Sequence, residues 1–145
     1  MPTIWTIGYE RLRPEMLAAE LEAAGVERVL DVRERPQSRK PGMSKTNLGK
    51  LLAAHRIAYE HRRELGTPPE LRALYRSNEV ERAAAGYREH VEGTARDELD
   101  RLAAELDDGP RTALLCLEED PAVCHRRVIT DALRERRPDL EVVDL

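Results

Sequence analysis

Along this chain, short apolar or β-rich runs alternate with segments whose apolar residues recur three and four positions apart. The runs are TIWTI at 3–7, RVLDV at 28–32, IAYEH at 57–61, TALLCL at 112–117 and LEVVDL at 140–145, and each is predicted to be a strand. Between the first two, Leu17, Leu21 and Ala24 share one helical face, with Pro14 near its start and Gly25 where a C-terminal cap belongs. Leu48, Leu51, Leu52 and His55 repeat that spacing behind Ser44, a residue type suited to an N-cap. TPPE at 67–70 predicts a helix capped by Thr67 with Pro68 in its first position and Glu70 just inside, carrying Leu71, Leu74 and Tyr75. Ala84, Tyr87 and Val91 outline the next helix. Thr94 opens another, through Leu99, Leu102, Ala103 and Leu106, which DDGP ends. A last helix starts near Cys124 or His125, buries Val128, Ile129, Ala132 and Leu133, and stops before Pro138.

Strands and helices in this order predict a single compact α/β domain over residues 1–145, with a mostly parallel central sheet of about five strands and helices on both faces. The length suits one core, and no repeat or linker interrupts it. A formal charge of −4 points away from a generally basic nucleic-acid binder. The apolar runs are far too short to span a bilayer, and MPTIWTIGYE has neither a basic n-region nor a long apolar stretch. The expectation is a soluble cytoplasmic protein with no membrane partner. In that compartment its two cysteines are expected to be reduced thiols.

Ligands of parallel sheets bind outside the carboxyl ends of the strands, so the residues following each strand are the candidates. These are Gly8, Tyr9 and Glu10 after the first; Asp31, Arg33, Pro36, Ser38 and Arg39 after the second; and Tyr59, His61 and Glu64 at the third. Cys116, Glu118, Cys124, His125 and Arg126 follow the fourth. The stretch RERPQSRKPGMSK at 33–45 sets five Arg or Lys against one Glu, in a loop long enough to be functional. CLEEDPAVCHRR at 116–127 crowds thiols, acids, an imidazole and two guanidinium groups onto one turn.

That turn admits several chemistries. A helix beginning at 124 or 125 offers free N–H groups to an anion, and Arg126, Arg33 and Arg39 could add charge-assisted contacts. Alternatively, His125 and Arg126 bond carboxylates such as Asp31 or Glu118, and Arg33 pairs with Asp31 or Glu34. Cys124 beside His125 at a helix start is a candidate nucleophile or redox thiol. It does not fit the phosphatase loop, which needs Cys and Arg six positions apart; Cys116 and Cys124 precede Arg126 by ten and two. Zinc would accept Cys116, Cys124, His125 and His61, but their spacing is not that of a structural site and no metal is expected. Glu118 and Asp31 could act as general acid and base. His55 and His90 fit helix patterns and are assigned to packing or solvent.

TIGYE, LDVRERPQSRKPGMSK, AYEHRRELGTP and LLCLEEDPAVCHRR, in that order, resemble the successive motifs of the domain of unknown function 488 family. The resemblance covers nearly the whole chain and implies a compact α/β fold. It marks Gly8, Tyr9, Asp31, Arg33, Ser38, Arg39, His61, Gly66, Cys116, Glu118, Cys124, His125 and Arg126 as motif positions, and departs at Met43, where an aromatic residue is expected. It implies no substrate. The residues predict a small-molecule enzyme that holds a phosphorylated compound or nucleotide at the sheet's carboxyl edge. Asp31, Glu118 or Cys124 would serve hydrolysis or group transfer, and Gly8, Tyr9, Arg33, Ser38, Arg39, His61, His125 and Arg126 would contact the ligand. Two other classes stand beside this. One is a nucleic-acid or nucleotide-binding module in which the basic loop meets phosphates and Tyr9 stacks on a base; the other is a cysteine redox or zinc protein. No cofactor is assigned.

Overall fold

The stretch Thr112–Cys116 is buried at every position, which requires a strand covered on both faces. The computed structural model, which describes residues 2–145, places it at the centre of a five-stranded parallel sheet. The strands are β1 (Thr3–Gly8), β2 (Arg28–Asp31), β3 (Ala58–His61), β4 (Thr112–Cys116) and β5 (Glu141–Asp144), ordered β3-β2-β4-β1-β5. The helices are α1 (Pro14–Ala23), α2 (Lys45–Ala54), α3 (Pro69–Arg76), α4 (Val80–Glu92), α5 (Arg96–Ala104) and α6 (Arg126–Arg136).

Alternation along the strands divides the core in two. Ile7, Val29, Ala113 and Leu115 face α1 and α2 and meet Leu17, Leu21, Leu48 and Leu52. Ile4, Leu30, Leu114 and Cys116 face the other way, onto Tyr87, Val91, Leu99, Ile129 and Leu133 from α4, α5 and α6. Helices therefore cover both faces, as the element order predicts. Register sets Gly8 of β1 beside Cys116 of β4, and Asp31 of β2 beside Leu115 and His61. β1 leads through α1 toward β2 on one face, whereas β4 leads through α6 toward β5 on the other. Neighbouring strands thus send their chains in opposite directions, which opens a crevice at their carboxyl ends. Among the described residues no helix is long and apolar enough to cross a membrane.

Several helix starts differ from the sequence expectation. Thr67 does not cap α3; Pro68 occupies the cap and Pro69 is the first helical residue. Thr94 lies in the turn between α4 and α5, and Ala95 precedes α5 without a side-chain cap. Ser44 does stand at the N-cap of α2, but its hydroxyl bonds Ser38 across the basic loop instead of a helix N–H. Tertiary packing, of α3 on α4 and of α4 and α5 with α6 on the sheet, sets their limits, overriding local cap chemistry. Gly25 ends α1 with φ +77°, the left-handed conformation expected of it.

Leu114 is fully buried on the central strand, in contact with the larger of the two clusters. Leu114→Ala is expected to cost about 2–5 kcal/mol, read as a lower urea midpoint with unchanged slope.

Candidate active site

The site begins with a side chain that is missing. A Cβ on Gly8 would collide with the Glu118 carbonyl, so glycine lets the chain after β4 fold back over the end of β1. A short 3-10 turn at Pro121–Val123, capped by the Asp120 carboxylate on the Ala122 N–H, brings Cys124 and His125 to the start of α6. Arg126, fully buried, fastens this return. Its guanidinium donates to the Thr6 hydroxyl at 3.1 Å, to the carbonyls of Glu118 and Glu119, and through Nε to Cys124 Sγ at 3.5 Å. Thr6 in turn donates to Asp144 at 2.6 Å. Arg126 therefore does not present free donors to a ligand, and the pairing with Asp31 or Glu118 carboxylates does not form either.

The group that faces the start of α6 is the chain's own sulfur. The Arg126 backbone N–H points at Cys124 Sγ at 3.4 Å, Arg126 Nε lies at 3.5 Å, and His125 Nδ1 at 3.8 Å. His125 Nε2 lies 2.6 Å from the Val32 carbonyl, which can only accept, so Nε2 carries a proton and Nδ1 is left facing the sulfur. Tyr87, its hydroxyl fixed on the Leu65 carbonyl, packs edge-on against the imidazole. Burial opposes charge on Cys124, but the Cys116 thiol, His125 and Arg126 together hold it well below the usual thiol range. Burial likewise opposes a charged His125, which the Cys124 sulfur pushes up. Each shift thus favours the charged form of its neighbour, a thiolate on Cys124 beside an imidazolium on His125. Burial, then the neighbouring Cys124, push Cys116 well up, so it keeps its proton. Glu118, its Oε2 3.5 Å from Cys116 Sγ, is raised by burial and by the Cys124 charge.

A second group of expected site residues forms the framework under the basic loop. Asp31 is fully buried and takes both Nε and Nη2 of Arg33, at 2.8 and 2.6 Å, together with the Tyr59 hydroxyl at 2.5 Å. Arg33 Nη1 donates to Tyr9 Oη at 3.2 Å and to the Met43 carbonyl at 2.7 Å. Asp31 is thus a counter-ion without access to a ligand, the ion-pair alternative for Arg33 holds, and Tyr9, 2% exposed, has no free face for a base. Met43 is buried as well, in the α1 and α2 core. His61 Nε2 lies 2.7 Å from the Arg33 carbonyl, and the His61 side chain faces away from the crevice. Ser38 shapes the loop through Ser44 and the Lys40 N–H.

Between these two groups lies a cavity of about 670 Å³. Cys116, Glu118, Cys124 and His125 form one wall, and Arg33, Arg35, Ser38, Arg39 and Lys40 of the basic loop another. Arg72, Tyr75 and Arg76 of α3 close it. Six basic side chains line the space against three acidic ones, Glu10, Glu34 and Glu118. Arg72 Nε and Tyr75 Oη are buried there without hydrogen-bond partners. Sequence reasoning missed Arg72 and Arg76 and placed Tyr75 on the apolar face with Leu71 and Leu74, although Arg72, Tyr75 and Arg76 stand at i, i+3 and i+4, the spacing of one helical face. Cys116, Cys124 and His125 bring one ligating atom each within 4.8 Å of the others, and are the described residues that could hold a metal ion.

A family model described as "Domain of unknown function DUF488" matches residues 13–133. No curated protein and no solved structure matches the chain.

Two outcomes follow from this geometry. An ordinary thiol loses about tenfold in reactivity per pH unit below its pKa near 8.5. Cys124, already ionised, is expected to react with iodoacetamide at rates within a few-fold from pH 8 down to pH 6, and His125→Asn to restore the steep fall by removing the positive charge. Mass-mapped alkylation checks both. Arg126→Ala takes the guanidinium from two carbonyls and from the buried Cys124 sulfur and is expected to cost roughly 3 kcal/mol or more, measured by denaturant unfolding.

Proposed function

We propose that this chain, which belongs to the DUF488 family, is an enzyme that turns the Cys124 thiolate on an anionic small molecule, a phosphorylated compound or a nucleotide, in hydrolysis or group transfer. One observation carries the reading. The Cys124 sulfur stands in the wall of a cation-rimmed cavity, ringed by His125 Nδ1 and two nitrogens of Arg126. A thiolate is a nucleophile at neutral pH without further activation. Arg72 and Arg76, with Arg35 and Arg39 of the loop opposite, supply the charge that holds an anionic group beside it. The sulfur would bond to the electrophilic centre as the leaving group departs, taking its proton from Glu118, whose pKa burial and the Cys124 charge push up, favouring the acid form. Water or an acceptor then releases the transferred group from Cys124. Asp31, sealed beneath Arg33, has no part in this chemistry.

A second reading rests on the convergence of Cys116, Cys124 and His125 within 4.8 Å, close enough for zinc with an open fourth position. The buried charge of Arg126 beside Cys124 favours the bare thiolate, because a divalent ion sharing that sulfur would be repelled by it. About one equivalent of zinc in the purified protein would favour the metal instead.

The test uses two alkylating probes that differ in charge. Anionic iodoacetate is expected to outpace neutral iodoacetamide at Cys124 relative to free cysteine. That advantage should fall about tenfold in the Arg72→Ala, Arg76→Ala double variant, and inorganic phosphate should slow both probes. Equal selectivity in both proteins, with no protection by phosphate, overturns the anion site. In a panel of phosphorylated compounds and nucleotides, turnover that persists in Cys124→Ser removes the thiolate mechanism.

A further inference from the structure

Cys116 has no part in the proposed reaction, yet it is the nearest sulfur to the nucleophile. Both thiols are free and line the same cavity, and their sulfur atoms lie within 4.8 Å of each other. The chain between them, residues 117–123, is a surface loop whose Leu117, Glu119, Ala122 and Val123 are exposed. Cys124 itself sits in an extended link, φ −145° and ψ 164°, between the 3-10 turn and α6, not inside either helix. The backbone joining the sulfurs can therefore adjust without breaking the sheet or α6.

We propose that Cys124 and Cys116 form a reversible redox couple in which a hydroperoxide oxidises Cys124 and Cys116 resolves the product to an intramolecular disulfide. The inference rests on the thiolate reading of Cys124, because only the thiolate attacks a peroxide efficiently. In the first step the Cys124 sulfur bonds to one peroxide oxygen and the O–O bond breaks. The departing alkoxide or hydroxide takes a proton from the His125 imidazolium. Cys124 is oxidised by two electrons to sulfenic acid, and the peroxide is reduced to an alcohol or water. In the second step the Cys116 sulfur attacks that of Cys124, its proton is relayed through the Glu118 carboxyl, 3.5 Å away at Oε2, to the departing hydroxide, and water leaves as the S–S bond forms. A small dithiol reverses the change by thiol–disulfide exchange, returning both thiols and leaving as its own disulfide. Protonated Cys116 suits the resolving part, since it does not compete for peroxide. While the disulfide stands, the proposed nucleophile is absent.

The experiment adds hydrogen peroxide to the full chain, then maps peptides by mass spectrometry under non-reducing conditions. Expected is loss of both thiols with a single peptide pair joined through Cys116 and Cys124, restored by dithiothreitol. In Cys116→Ser the oxidation should stop at Cys124 as a sulfenic acid that dimedone traps. Two intact thiols in excess peroxide, a disulfide between chains, or overoxidation of Cys124 with Cys116 unmodified each overturn the proposal. The wild-type map decides even if the variant does not fold. Iodoacetamide reactivity of the reduced protein, measured before peroxide is added, separates the two readings. Fast alkylation of Cys124 at pH 6 without a disulfide sinks the redox couple alone; slow alkylation sinks the thiolate reading beneath it.

Discussion

A guanidinium cannot shed its proton, so one buried without a carboxylate must find its negative charge elsewhere. Arg126 is such a group. Among the described residues its partners are a hydroxyl, two carbonyls and the Cys124 sulfur. The sulfur, drawn toward its thiolate form by His125 and Arg126, is the one partner that can offset the buried charge. The same guanidinium ties the Glu118 and Glu119 carbonyls over the end of β1, and those ties hold Cys116, Glu118 and Cys124 along one wall. The charge state of the site and the shape of the site are therefore one interaction seen from two sides.

The arginines divide by what their donors are doing. Arg33 and Arg126 spend theirs on buried carbonyls, hydroxyls, a carboxylate and a thiolate, and so act as cross-links between segments far apart in sequence. Arg72 keeps Nε without a partner in the cavity, its only ion pair among the described residues being to Glu34 at 3.6 Å through Nη2. Arg39 is exposed at the rim. Only the second kind retains donors for a guest. The anionic ligand proposed above would thus not compete with the fold for the same nitrogens.

Much of the architecture was legible because burial imposes period on the chain. The five apolar runs and the helical spacings between them lead to the parallel sheet with two covered faces, and the carboxyl-edge rule leads to Cys124, His125 and Glu118. What could not be read was depth. Asp31, Arg33 and Arg126 carry the residue types of a ligand site, and only three-dimensional pairing shows that their charges are used internally. Gly8 was recognised as a site position, but its reason, room for the Glu118 carbonyl, depends on a contact across more than a hundred residues. Arg72 and Arg76 went unnoticed, and Tyr75 was assigned to packing with Leu71 and Leu74, because apolar spacing marks only the face that packs. Thr67 and Thr94 have the chemistry of caps and do not cap, since tertiary packing fixes where α3 and α5 begin.

The two halves of the cavity belong to separately anchored pieces of chain. The sulfur wall is built from β4, the return over Gly8 and the start of α6, whereas the cationic rim comes from the 33–45 loop and α3, which packs chiefly on α4. No side-chain hydrogen bond joins the rim arginines Arg35, Arg39, Arg72 and Arg76 to the thiolate cluster. Guest preference is therefore modular with respect to reactivity. A lineage, or an engineer, can redraw the rim by exchanging one loop and one helix face while the nucleophile stays as it is.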